Sequence, residues 1–153
     1  MPIEIANRCP AIKPDRPALT RLVRGVLRME EEPRTAITLV LAGDALLREL
    51  NGRYRGLDRA TDVLSFEPSP GDSKEDSMPG EIYVSMDRVF VQAPRYRHSP
   101  QRELARIIIH GVLHVLGHDH HQAAERALMR ARERACALSL DSIRTAYFTP
   151  RAR

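Results

Sequence analysis

A chain of 153 residues, 42% hydrophobic and 29% charged, is long enough for one packed domain and too short for two ordinary ones. Its apolar runs fall well below the roughly 18 residues of a membrane span, and the opening MPIEIANRCP lacks the layout of a secretory signal, so a cytoplasmic protein with no membrane contact is expected. The formal net charge of +4 leans toward a polyanionic partner without deciding it.

In chain order, Ile3-Glu4-Ile5-Ala6 alternates as a short strand does, and Pro10, Pro14 and Pro17 mark a linker after it. Leu19, Leu22, Val23, Val26 and Leu27 recur at helical spacing, and Pro33 closes that first helix. Ala36 to Ala42 is short, apolar and rich in β-branched residues, which predicts a buried strand. Asp44 is placed to cap a helix from Ala45 to about Tyr54. Thr61 to Phe66 reads as a strand. The acidic stretch from Glu67 to Pro79 reads as a flexible, solvated connection, with a lid as the other reading. Glu81 to Ser85 is again a strand and Met86 to about Arg97 a helix.

Ser99 and Pro100 then open a helix expected to run to Leu116 and stop at Gly117, and a last helix spans Gln122 to about Leu138. The tail from Arg144 to Arg153 is basic and reads as a disordered end. The order implies a single α+β domain over residues 1–153, a mixed sheet of about four strands packed with about five helices. Cys9 and Cys136 are far apart, belong to no Cys-x-x-Cys pair and read as free thiols. No obligate protein partner is evident.

Arginine dominates lysine, with Arg53, Arg55 and Arg59 before the acidic stretch and Arg126, Arg130, Arg132 and Arg134 near the C-terminal end. Arginine suits bidentate contact with phosphate, and GC-rich coding gives the same bias, so the two explanations stand level.

The chemistry concentrates in the helix Gln101 to Gly117. Apolar residues cover most of its circumference, and Glu103, Arg106, His110, His114 and Gly117 fall in one narrow polar strip, expected to face a cleft. His110 and His114 project from it one turn apart, the spacing at which two imidazoles reach one metal. Gly117 lets the chain turn out of the helix, and His120 can swing back to complete His-x-x-x-His-x-x-Gly-x-x-His. Three imidazoles with an open fourth position suit one catalytic zinc ion. His118 and His121 are expected to point elsewhere, and His98 to lie on the surface.

Metzincin peptidases share this spacing, with a glutamate beside the first histidine as general base. Here that position is Gly111, which argues against peptide hydrolysis.

The residues His110-Gly111-x-Leu113-His114-x-Leu116-Gly117-x-Asp119-His120, together with Leu50-Asn51-x-x-Tyr54-Arg55-x-x-Asp58-x-x-Thr61-Asp62-Val63-Leu64-Ser65-Phe66 and Gly80-Glu81-Ile82, resemble the YbeY family of bacterial metal-dependent endoribonucleases. Two positions depart from the family pattern: Glu81, usually aspartate, and His118, often an aromatic residue. The resemblance implies hydrolysis of single-stranded RNA, maturation of small-subunit ribosomal RNA (16S) at its 3′ end, and ribosome quality control. RNA and the ribosome are then the expected partners.

Zinc lowers the pKa of bound water to about 7 and polarises a phosphoryl oxygen. The charge developing on phosphorus needs a fixed cation, and Arg55 is the candidate, with a structural ion pair to Asp58 or Asp62 as its other reading. Asp62 and Ser65 are candidates for the cleft wall, and capping or strand-end hydrogen bonds explain them as well. No residue stands out as general base. The competing functions are a zinc hydrolase of another substrate and a ribosome-binding assembly factor with a structural metal.

Overall fold

The computed structural model describes residues 2–71, 77–118, 122–139 and 145–151. Its elements are β1 (Ile3–Asn7), β2 (Ile12–Pro14), α1 (Arg16–Met29), β3 (Ile37–Ala42), α2 (Asp44–Arg55), β4 (Val63–Phe66), β5 (Gly80–Ser85), α3 (Met86–Arg95), α4 (Pro100–Val115), α5 (Ala123–Ser139) and β6 (Phe148–Pro150). A mixed sheet runs β1-β3-β5-β4, with β1, β3 and β5 parallel and β4 antiparallel to β5. The α+β class and the four-stranded sheet with five helices agree with the sequence reading.

Side-chain alternation divides the core. Ile37, Leu39 and Leu41 of β3, with Ile82 and Val84 of β5, point to one face and pack with α1, α3, α4 and α5. Val40, Ala42 and Leu64 point to the other and meet Leu47 and Leu50 of α2. Period-two alternation with both faces covered is why β3 reads as a continuous apolar run. α4 sits at the centre of the larger layer, with ten of its 16 residues buried. Burial on that scale makes it a firm platform for a site.

Several expectations need correction. The proline-rich stretch after β1 is not a plain linker. Ile12–Pro14 is a strand, and Pro17 lies in the first turn of α1, which is capped by the Asp15 carboxylate accepting from Ala18 N–H at 3.0 Å. β2 pairs with β6, so the C-terminal stretch is not a disordered end. Tyr147 and Phe148 are buried in the main core, and the Gln101 side chain bonds the backbone of Tyr147 and Phe148. Two aromatic anchors outweighed the arginines that surround them in sequence. Arg144, Ala152 and Arg153 lie outside the described residues.

Asp44 does not cap α2. The Asp87 carboxylate takes the Asp44 N–H at 2.8 Å, while the Asp44 side chain accepts from Ser85 Oγ and Arg88. The ends of the 67–79 connection are paired, Ser69 with Met78, as an extension of the β4–β5 hairpin. Its middle, residues 72–76, lies outside the described part. Among the described residues no helix is long and apolar enough to cross a membrane. Cys9 and Cys136 are both free thiols.

Candidate active site

Ser99 caps α4 by accepting from Arg102 N–H at 3.1 Å, and Pro100 stands in its first turn. At the other end Gly117 takes φ +94°, and the bonds His118 N–H to Leu113 O and Gly117 N–H to His114 O close a Schellman motif. The chain therefore leaves the helix one turn after His114, as the glycine spacing predicts. α2 ends similarly at Gly56, φ +67°, which places Arg55 on its last turn.

Between these two helix ends, across the edge strand β4, lies a polar cleft of about 680 Å³. Its walls include Asn51, Arg55, Arg59, Asp62, Ser65, His110, His114 and His118. Arg55, Asp62, Ser65, His110 and His114, widely separated in sequence, are thus brought to one cavity. His120 and His121 lie outside the described residues.

The His110 and His114 rings lie 4.7 Å apart, centroid to centroid, at 67° to one another. His110 Nδ1 is 2.6 Å from Glu133 Oε1 on α5. A carboxylate can only accept, so Nδ1 is the donor in this contact, and in the neutral ring the lone pair then lies on Nε2. A neutral imidazole with one nitrogen held by a carboxylate is the usual form of a metal-ligating histidine, so the donor set fits zinc chemistry. Among the described residues no three histidine, cysteine or acidic side chains form a metal-sized cluster, and the third expected donor is outside them.

Arg55 is exposed and its Nη2 reaches Ser65 O at 3.4 Å, across the edge of β4. Asp58, one of the two carboxylates that could have claimed it, is held instead by Arg48 in a two-pronged contact at 2.7 and 3.1 Å. That guanidinium keeps the Asp58 carboxyl below its usual range. Ser65 donates through Oγ to Gly111 O at 3.2 Å, tying β4 to α4. Asp62 accepts through its backbone carbonyl from Ser85 N–H, and its side chain adds to the field that, after the Glu103 contact, holds the Arg106 proton.

The polar strip of α4 is real but does not all face the cleft. Glu103 is completely buried and grips Arg106 at 2.7 and 2.8 Å. His98, expected on the surface, is largely buried beside it, with Nδ1 3.4 Å from Glu103 Oε1. An ion pair at that end lets a charged residue occupy the core. His118, expected to point away, borders the cleft and comes within 3.9 Å of Glu30. Glu133 was not singled out from sequence. Its signal was a carboxylate on the inward stripe of α5, between the buried Met129 and Cys136.

The family described as Endoribonuclease YbeY matches residues 4–141. The chain belongs to the YbeY endoribonuclease family. The Endoribonuclease YbeY of Chloroflexus aggregans is 42% identical over 134 residues, which cover 82% of this chain and 88% of that one. That of Pelotomaculum thermopropionicum is 42% identical over 120 residues, covering 75% and 79%. The solution structure of TM1509 from Thermotoga maritima superposes with a TM-score of 0.59 at 25% identity, covering 92% of this chain and 93% of that one. YbeY membership makes the chain an endoribonuclease, a hydrolytic nuclease, and agrees with the reading of Gly111 against a peptidase.

Proposed function

We propose that this YbeY-family chain is a zinc-dependent, single-strand-specific endoribonuclease. Its zinc ligands are His110, His114 and His120, and its cytoplasmic task is 3′-end maturation of 16S ribosomal RNA and quality control of ribosomes. The observation that supports it most is the pairing of His110 and His114 on the wall of the cleft that Arg55 also lines.

When bound, zinc supplies a Lewis acid for a phosphoryl oxygen and lowers the pKa of a water. The remaining work belongs to the chain. Arg55, on the last turn of α2, offers a guanidinium fork to the phosphate oxygens as charge grows on phosphorus. Its contact with Ser65 O holds it over the edge of β4. Asn51, buried and donating to Arg59 O at 2.9 Å, shapes the loop that carries Arg59 to the same cleft. Ser65 serves the site by holding β4 to α4, and Asp62 by fixing β4 to β5 through its carbonyl.

The test is cleavage of single-stranded RNA by wild type, His114→Ala and Arg55→Ala, with zinc content measured on each. Wild type carrying about one zinc, His114→Ala losing metal and cleavage while folded, and Arg55→Ala losing cleavage alone would support the assignment. Unfolding of His114→Ala would favour a structural metal in a ribosome-binding factor. Equal cleavage by all three would mark the activity as contamination.

A further inference from the structure

α5 is held to the body of the protein at several points. Met129 and Cys136 are buried in the main core, and Arg132 donates to Glu30 Oε1 at 2.9 Å, with a second contact to Met29 O. Glu133 lies between the two buried residues on that same inward stripe, its side chain only 19% exposed. A carboxylate on such a stripe gives up much of its hydration and needs a partner. That partner is His110 Nδ1, at 2.6 Å. The Glu30–Arg132 pair already ties α5 to the end of α1, so Glu133 is not the sole anchor of the helix.

We infer that Glu133 is a positioning residue for the metal site, holding the His110 ring in one orientation and one tautomer so that Nε2 is presented to zinc. The inference rests on the zinc reading above and adds to it a residue on a separate helix. An imidazole whose Nδ1–H donates to a carboxylate cannot turn over to offer the wrong nitrogen.

The experiment compares wild type, Glu133→Gln and Glu133→Ala, prepared metal-free, by zinc titration against a competing chromophoric chelator and by the visible spectrum of bound cobalt. Thermal melting of the metal-free proteins is measured beside them. The expected result is unchanged melting with zinc affinity down about 10- to 100-fold. The glutamine variant, which can still accept the Nδ1–H without the charge, should fall between wild type and alanine. Equal zinc affinity in all three would overturn the inference and leave the proposed function standing. A wild type that takes up no zinc would overturn both. Metal-free glutamine and alanine variants that both melt far below wild type would make Glu133 a structural tie and overturn the inference alone.

Discussion

Gly111 and Ile82 approach so closely that a β-carbon on Gly111 would stand 2.8 Å from Ile82 Cγ2, with Ser65 Oγ 3.3 Å away. α4 lies flat on β4 and β5 at that point, and the same pressing-together places Val115 against Gly80. The position next to the first motif histidine, where a metzincin carries its catalytic glutamate, faces the sheet rather than open solvent. The missing peptidase base is therefore a matter of space as well as residue type.

Gly111→Ala sets an overpacking cost of about 1–3 kcal/mol against a helix-propensity gain of about 1 kcal/mol. The net effect is expected to be small and destabilising. Gly111→Glu must also bury a carboxylate against Ile82 and is expected to be far less stable, with no peptidase activity gained. Urea unfolding of the two variants checks the order. A glutamate variant as stable as wild type would show that α4 can lift off the sheet.

Arg55→Ala is expected to lose RNA cleavage by about 10²–10³-fold, the loss typical of removing one donor to a developing anion, with zinc content unchanged. Arg55→Lys keeps the charge without the planar fork and should recover only part of the rate. Single-turnover cleavage decides the matter. An alanine variant as fast as wild type would strip Arg55 of this role.

Phe148 is 4% exposed and meets Phe90 edge-on at 5.8 Å. Phe148→Ala should cost about 3 kcal/mol by cavity formation, whereas Arg151→Ala, at an exposed position, should change little. Denaturant midpoints for the pair separate a packed C-terminal strand from a loose tail. Indistinguishable midpoints would favour the loose tail.

Burial, reinforced by its bond to Glu81, pushes the Tyr83 phenol up to about 12. An unfolded tyrosine ionises near pH 10. The folded state thus holds this proton more tightly, and the associated stability is complete below about pH 10 and lost as pH rises toward about 12. An absorbance titration of phenolate should show one fewer late-ionising tyrosine in Tyr83→Phe than in wild type. Ionisation of every tyrosine near pH 10 in the folded protein would contradict this.

By itself the sequence determined the elements whose signals are local. The α4 helix was legible from its cap, its apolar circumference and its terminal glycine, because hydrogen-bond satisfaction at helix ends and period-3.6 burial act within a few residues. The two motif histidines were legible for the same reason, since neighbouring turns of one helix need no tertiary information to meet. Strand identity came from short apolar runs, and family resemblance from two motifs in order.

Tertiary structure alone decided what those elements meet. The β1-β3-β5-β4 order and the burial of Phe148 rest on contacts between separate elements, and the β2–β6 pair joins residues more than a hundred positions apart. No local propensity records such pairings, whose stability comes from area buried between elements. Glu103 read as polar on a helical wheel, and only the fold reveals that it is buried with the half-exposed Arg106 and the partly buried His98 beside it. The same holds for the cleft: Asp58 could have claimed Arg55 in sequence, but Arg48 holds it. Glu133 reaches His110 only because α5 folds back along α4. Charge pairs are set by three-dimensional distance, which is why the sequence pointed to the histidines and not to the carboxylate beside them.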